Sequence, residues 1–141
     1  MASCRENIDA ECENIQNVLE QLPSHESLHG LSVLELAGVS TFLHNFFNGV
    51  ENVLKQIFKE RGILLPTGAS WHRELLNTAR SEGIISGSVM DVLTPYLAFR
   101  HFFTHGYSID LDPEKLESLV CDADSVYSSF KESIDEAVAS L

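Results

Sequence analysis

An all-α antiparallel bundle of four long helices and one short one is what this sequence predicts, within a single domain spanning residues 1–141. Two observations carry that expectation. Apolar residues recur at alternating steps of three and four along most of the chain, and no stretch shows the period of two that a half-buried strand requires. Helix-start signals recur too: Ser3 is followed three residues on by Glu6, Ser32 by Glu35 and Ser88 by Asp91. In each pair a hydroxyl can accept free amide hydrogens while the acid complements the N-terminal dipole.

The first helix is expected from about Cys4 to Leu22, with Ile8, Cys12, Ile15, Val18, Leu19 and Leu22 inward, stopping before Pro23. A polar connector follows to Gly30. The second helix is the clearest signal, with Leu36, Val39, Leu43, Phe46, Val50, Val53 and Ile57 in register, and Phe47, Leu54 and Phe58 widening the seam to reach more than one neighbour. Leu31 and Leu36 are spaced for a hydrophobic staple at its start. Pro66 and Gly68 mark a loop from Gly62 to Ala69, after which Ser70 opens a short helix to about Arg80. A fourth helix starts near Ser88, carries Pro95, and ends at Gly106, which suits the left-handed closing conformation. Asp112-Pro113 restarts the chain with a capping acid before a first-turn proline. Leu116, Leu119, Ala123, Val126, Tyr127, Phe130 and Ile134 then line a long last helix.

Composition narrows the function. The chain is long enough to bury a core without disulfides or metal, and 44% of its residues are hydrophobic, which argues against disorder. No apolar run approaches the roughly 18–20 residues of a membrane span, and Met1 to Asn7 lacks the basic start and apolar stretch of a secretion signal. A cytoplasmic protein with no membrane association is expected. Cys4, Cys12 and Cys121 show no close pairing and read as reduced thiols, Cys12 and Cys121 on apolar stripes as small buried hydrophobes.

The net charge of −12 speaks against phosphate binding, but the excess acid is concentrated near the ends. Residues 1–62 hold nine acids and four bases and residues 106–141 nine and two, whereas residues 63–105 hold three of each. Lys55, Lys59, Arg61, Arg73, Arg80 and Arg100 can form a local cationic patch, or stand singly as solvated surface charges.

The stretch Arg100-His101-Phe102-Phe103-Thr104-His105-Gly106-Tyr107 sets a permanent cation, imidazoles of a type that titrates near neutrality and a phenol at a helix end. Basic residues favoured by the helix dipole account for such a cluster on spacing alone. Arg, a polar residue, three further residues, His, one residue and Tyr also resembles the signature of HEPN-domain ribonucleases, specifically HepT-like toxins. Phe46 to Leu54 and Ser70 to Leu76 resemble the middle helix and the following helix start of the same family. The three stretches together span most of Leu31 to Tyr107.

The resemblance implies a HEPN-like domain acting as a two-fold homodimer, a metal-independent endoribonuclease toxin, and a minimal nucleotidyltransferase as its antitoxin partner. Arg100 and His105 are then the catalytic pair. RNA carries its own nucleophile, the 2′-hydroxyl, so cleavage needs a base, an acid and a cation for the crowded phosphorane. An imidazole suits either proton transfer, and a guanidinium can donate two parallel hydrogen bonds to phosphate. Five residues advance a helix about 140° beyond a full turn, so Arg100 and His105 of one chain do not project along one line. Pairing of motif helices in a dimer would bring two of each into one cleft; unwinding near Thr104 in a monomer is the other solution.

His101 fills the polar place after the arginine and is expected to support the site. The His101/His105 spacing also occurs in metal ligation, but no acid or thiol lies nearby in sequence, and no metal or other cofactor is expected. Glu51 either approaches the motif helix to orient Arg100 or faces solvent beside Lys55. Tyr107 is the place where a nucleotidyltransferase would attach AMP. Trp71 reads as a core anchor, His72 as a packing or capping residue, Tyr96 and Tyr127 as core, and His25 and His29 as incidental. Two other functions stay open: a non-catalytic helical adaptor that binds a nucleotidyltransferase or a nucleotide, and a structural bundle in which the motif is accidental.

Overall fold

The computed structural model describes residues 3–105 and 111–141, and among them every regular element is helical. The order is α1 (Cys4–Gln21), a 3₁₀ segment (His25–Gly30), α2 (Val33–Arg61), α3 (Trp71–Ser81), α4 (Gly87–His105) and α5 (Pro113–Ala139). α3, at 11 residues, is the short helix. The predicted bundle of four long helices and one short one is therefore the observed one.

Local chemistry fixes most of the ends. Ser3 accepts from the Glu6 amide at 3.1 Å, and Ser32 with Glu35 forms a full capping box, each side chain bonding the other's backbone. Asp112 accepts from the Glu114 amide ahead of Pro113. Gly62 closes α2 at a φ of 71°, the left-handed region that side chains resist. Two starts differ from expectation. α4 begins one residue early and its cap is Ser86, which accepts from the Val89 amide at 3.1 Å, while the Ser88 hydroxyl only bonds Ser86. Ser70 makes no cap bond, its hydroxyl lying 3.3 Å from Glu74 Oε1 instead.

α2 is the central element and touches each of the other four α-helices. α1 lies antiparallel on it, its start beside Gln56 and its middle beside Gly49. α5 runs antiparallel to α1, with Arg5 bonded to the Val138 carbonyl and Tyr127 to that of Cys12. Tyr96 of α4 donates to the Leu119 carbonyl of α5 at 2.7 Å, so both core tyrosines satisfy their hydroxyls, and burial raises both phenols above their usual range. Phe46, Phe47, Leu54 and Phe58 are fully buried within the one chain. The wide face of α2 is thus covered within the one chain.

Two further expectations fail for tertiary reasons. The polar connector holds the 3₁₀ segment, anchored by fully buried Leu28, with His25 and His29 at 3.4 and 3.7 Å from Glu117 of α5. Cys121 is exposed although its stripe is apolar, because α5 turns that side to solvent; Cys12 is buried, and burial raises its thiol.

Gly49 marks the closest approach of α1 to α2. A methyl there would stand 2.5 Å from Ile15 Cγ1, and Ile15 is itself buried. Gly49→Ala is expected to lower the melting temperature, because overpacking of about 1–3 kcal/mol outweighs the roughly 1 kcal/mol of helix propensity gained. Gly49→Leu should cost more, and an Ala variant that melts above wild type would mean that the two helices separate easily.

Candidate functional site

The site is assembled by three helices around a buried carboxylate. Glu51, on α2, is 2% exposed, between core residues Val50 and Val53. Taking a carboxylate out of water is costly unless it is paired, and two side chains pair it. His72, in the first turn of α3, places Nδ1 2.5 Å from Glu51 Oε2, and Arg100, in the last turns of α4, brings Nε to 3.8 Å from Oε1. Burial pushes the Glu51 carboxyl up, while His72, Arg100 and Lys55 pull it back down.

Lys55 acts from a distance, because its ammonium lies over the Trp71 ring, 4.1 Å from the centroid. The choice left open by the sequence, Glu51 toward Arg100 or toward Lys55 at the surface, is resolved toward Arg100. Arg100 is correspondingly not a solvent-facing residue, its side chain being only 20% exposed. At 3.8 Å the contact is an ion pair and no hydrogen bond, and Arg100 Nε finds no acceptor among the described residues.

An open cleft of about 570 Å³ lies in front of this pair. His72 and Arg73 of α3 border it on one side, Arg100, His101 and His105 of α4 on the other, over a floor that includes Leu97 and Ala98. Arg100 and His105 share this cleft within one chain, with α4 helical through His105. Arg100 is largely covered while His105 is exposed, so the two side chains differ in depth along the same stretch of helix. The rings of His101 and His105 lie 4.6 Å apart.

The working atom of His105 follows from its hydrogen bonds. Its Nδ1 is 3.2 Å from the His101 carbonyl oxygen, which can only accept, so Nδ1 carries a hydrogen. The Thr104 hydroxyl gives its own hydrogen to the Arg100 carbonyl at 2.9 Å and accepts at 3.1 Å from the same Nδ1–H. Nε2 is the ring nitrogen without a hydrogen-bond partner among the described residues.

Two residues of this neighbourhood escaped the sequence reading. His72 was expected to pack or cap, and instead bridges the buried carboxylate to the cleft. His44, seven residues before Glu51 on the same face of α2, lies tilted against Phe103 with ring centroids 5.5 Å apart and has a buried Nε2 without a partner among the described residues. Burial lowers its imidazole, and the Arg100 and His72 charges lower it further. No spacing signal marks either residue, because each meets the site only through the packing of α2 against α3 and α4. Nor do the six basic residues form one patch. Arg61 bonds Ser140 and the Ala137 carbonyl, Arg80 lies against Gly87, Lys55 lies over Trp71 and Lys59 is exposed elsewhere, so that of the six only Arg73 and Arg100 border the cleft. Tyr107 lies outside the described residues.

Residues 38–141 match the family described as HepT-like protein, well over half of the chain. The chain belongs to that family. No curated protein and no solved structure matches it. The matched span of this HepT-like protein runs from early α2 to the end of the chain, and so contains Glu51, His72, Arg100, His101 and His105 while leaving α1 and the 3₁₀ segment outside. Membership supplies a HEPN and toxin–antitoxin setting at the level of the family. Among the described residues no helix is long and apolar enough to cross a membrane.

Proposed function

We propose that this HepT-like protein is the toxin of a toxin–antitoxin pair, a metal-independent endoribonuclease that cuts RNA with Arg100 and His105. The observation that carries the reading is their convergence on one open cleft, with Glu51 fixing the arginine from behind. Arg100 keeps its outer guanidinium nitrogens for a phosphate and gathers charge on the phosphorane oxygens. His105 Nε2 moves a proton at the rim, and His101 holds the His105 ring through its carbonyl. The products are a 2′,3′-cyclic phosphate and a free 5′-hydroxyl. RNA is the substrate, a minimal nucleotidyltransferase the antitoxin, and attachment of AMP to Tyr107 the means of silencing.

A two-fold homodimer belongs to the same proposal. Phe102 is 39% exposed next to an apolar groove formed with Phe99, Leu116 and Leu119, which supports pairing through the end of α4. Sedimentation at micromolar concentration reads the state directly, and a monomer that cleaves RNA would remove the dimer from the mechanism.

Cleavage is expected to persist in excess chelator and to fail on an oligoribonucleotide with one deoxyribose at the scission site. Loss of activity in chelator, restored by a divalent metal, would replace the scheme with metal-assisted hydrolysis. The charge of −12 favours a second reading, a non-catalytic adaptor that binds a nucleotidyltransferase or a nucleotide. That reading predicts a pull-down of the nucleotidyltransferase by a protein that leaves RNA intact under every condition above.

A further inference from the structure

We propose that His72 is the second proton-transfer group of the cleft, so that one chain holds both the general base and the general acid of the reaction. The inference rests on the ribonuclease reading and deepens it, because the His72 ring, bonded to the buried Glu51, borders the same cleft as His105 and offers a second imidazole there.

The geometry is that of a carboxylate–imidazole dyad. Glu51 accepts from His72 Nδ1–H at 2.5 Å, which fixes the ring and the tautomer and leaves Nε2 to act. His72 keeps 17% of its side chain exposed and borders the cleft that Arg100 and His105 also border. A buried carboxylate behind an imidazole stabilises the imidazolium that forms when the ring takes up a proton. That assigns His72 the base and His105 the acid. The Trp71 ring lies tilted at 32° against the His72 ring, with a centroid distance of 3.5 Å, and limits its rotation. Arg100, shared between Glu51 and the cleft, favours the ionised carboxylate on which the dyad depends.

In the step itself, His72 Nε2 takes the proton of the ribose 2′-hydroxyl as O2′ bonds to phosphorus. The bond from phosphorus to O5′ breaks, and O5′ takes the proton carried by the His105 imidazolium. The two rings then exchange protons with solvent and are reset. The substrate itself supplies the nucleophile and the leaving group, and no further reactant is consumed.

The test is a pH–rate profile of RNA cleavage by the full chain and by His72→Gln, Glu51→Gln and His105→Ala, with circular dichroism of each. The charged and titratable groups around His72 are Glu51, Lys55 and His44 of α2, Arg73 of its own helix, and Arg100, His101 and His105 of α4. His72→Gln can still donate to Glu51, so it tests the ring nitrogen with the carboxylate still bonded. Its kcat is expected to fall roughly 10²–10⁴-fold, with KM little changed and the acidic limb of the profile gone. Glu51→Gln should keep that limb but shift it and lower kcat less. A folded His72→Gln enzyme with the wild-type limb and a rate within a few-fold of wild type overturns the inference, while His105→Ala inactivity would leave the ribonuclease reading standing.

Mixing decides whether the pair acts within one chain. Combined His72→Ala and His105→Ala proteins should stay inactive, because every site then lacks one ring. Activity restored by mixing would place the two rings on different copies and overturn the single-chain pairing. A wild-type protein that cuts no RNA sinks the ribonuclease reading itself, and the inference with it.

Discussion

His105→Ala is expected to lose roughly 10²–10⁴-fold in RNA cleavage and the growth inhibition that follows from it, with a melting temperature equal to wild type. The side chain is exposed at the end of α4 and its bonds are to local groups, the His101 carbonyl and Thr104, so nothing in the core depends on it. Arg100→Ala should be as inactive but not as neutral. Its removal leaves the buried Glu51 carboxylate with His72 as its one close partner, at a cost on the order of 1–3 kcal/mol. The Glu51 carboxyl is then raised further, because one of the charges that lowers it has gone. Arg100→Lys separates the two effects. An ammonium restores the charge beside Glu51 and with it the stability, but it cannot present the planar fork to a phosphate, and activity stays low. Full cleavage by the His105 variant would remove that residue from the chemistry. An Arg100→Ala protein as stable as wild type would show that the ion pair with Glu51 contributes nothing to the fold.

Silencing through Tyr107 is the second large effect. The residue stands two positions beyond His105, whose ring borders the cleft. On the proposed function, an AMP group on its phenol would add a negative phosphate and a nucleoside two residues from His105, so that RNA would be both repelled and obstructed. Co-expression with the nucleotidyltransferase and ATP should add one or more AMP-sized increments to the intact mass, beginning on Tyr107, with ribonuclease activity lost in proportion. Tyr107→Phe should fold, cleave, and remain active in the presence of the partner. Silencing of the Phe variant with no change in mass would mean that the partner acts by covering the cleft.

What was legible in the sequence is what local chemistry decides. The α2 stripe, the Ser3 and Ser32 caps and Asp112-Pro113 all depend on residues within a turn or two of one another, and all are found where expected. The errors lie where distant segments meet. Leu28 reads as one leucine in a polar connector until α5 packs over it, and Cys121 reads as buried until the orientation of α5 exposes it. For the site, the arginine and histidine were visible because they share one helix end. Glu51 was ambiguous because Lys55, one turn on, offers an equally good partner, and only the packing of α2 against α3 and α4 turns it inward. His44 carried no signal, and His72, although inside the Ser70 to Leu76 resemblance, carried none for its role, since nothing near either in sequence tells an imidazole beside a buried carboxylate from one at a surface.

The buried carboxylate and the α4 side of the cleft differ in how firmly they are held. Glu51 is carried by the middle of the most deeply buried helix, whose amides can exchange with solvent only when much of the bundle opens. His101 and His105 occupy the last two turns of α4, where fraying frees amides at far lower cost. Hydrogen exchange should therefore divide the site, slow at residues 47–54 and fast at 101–105. A bound oligoribonucleotide should slow the second group and leave the first untouched, because the part of the site that it orders is the helix end.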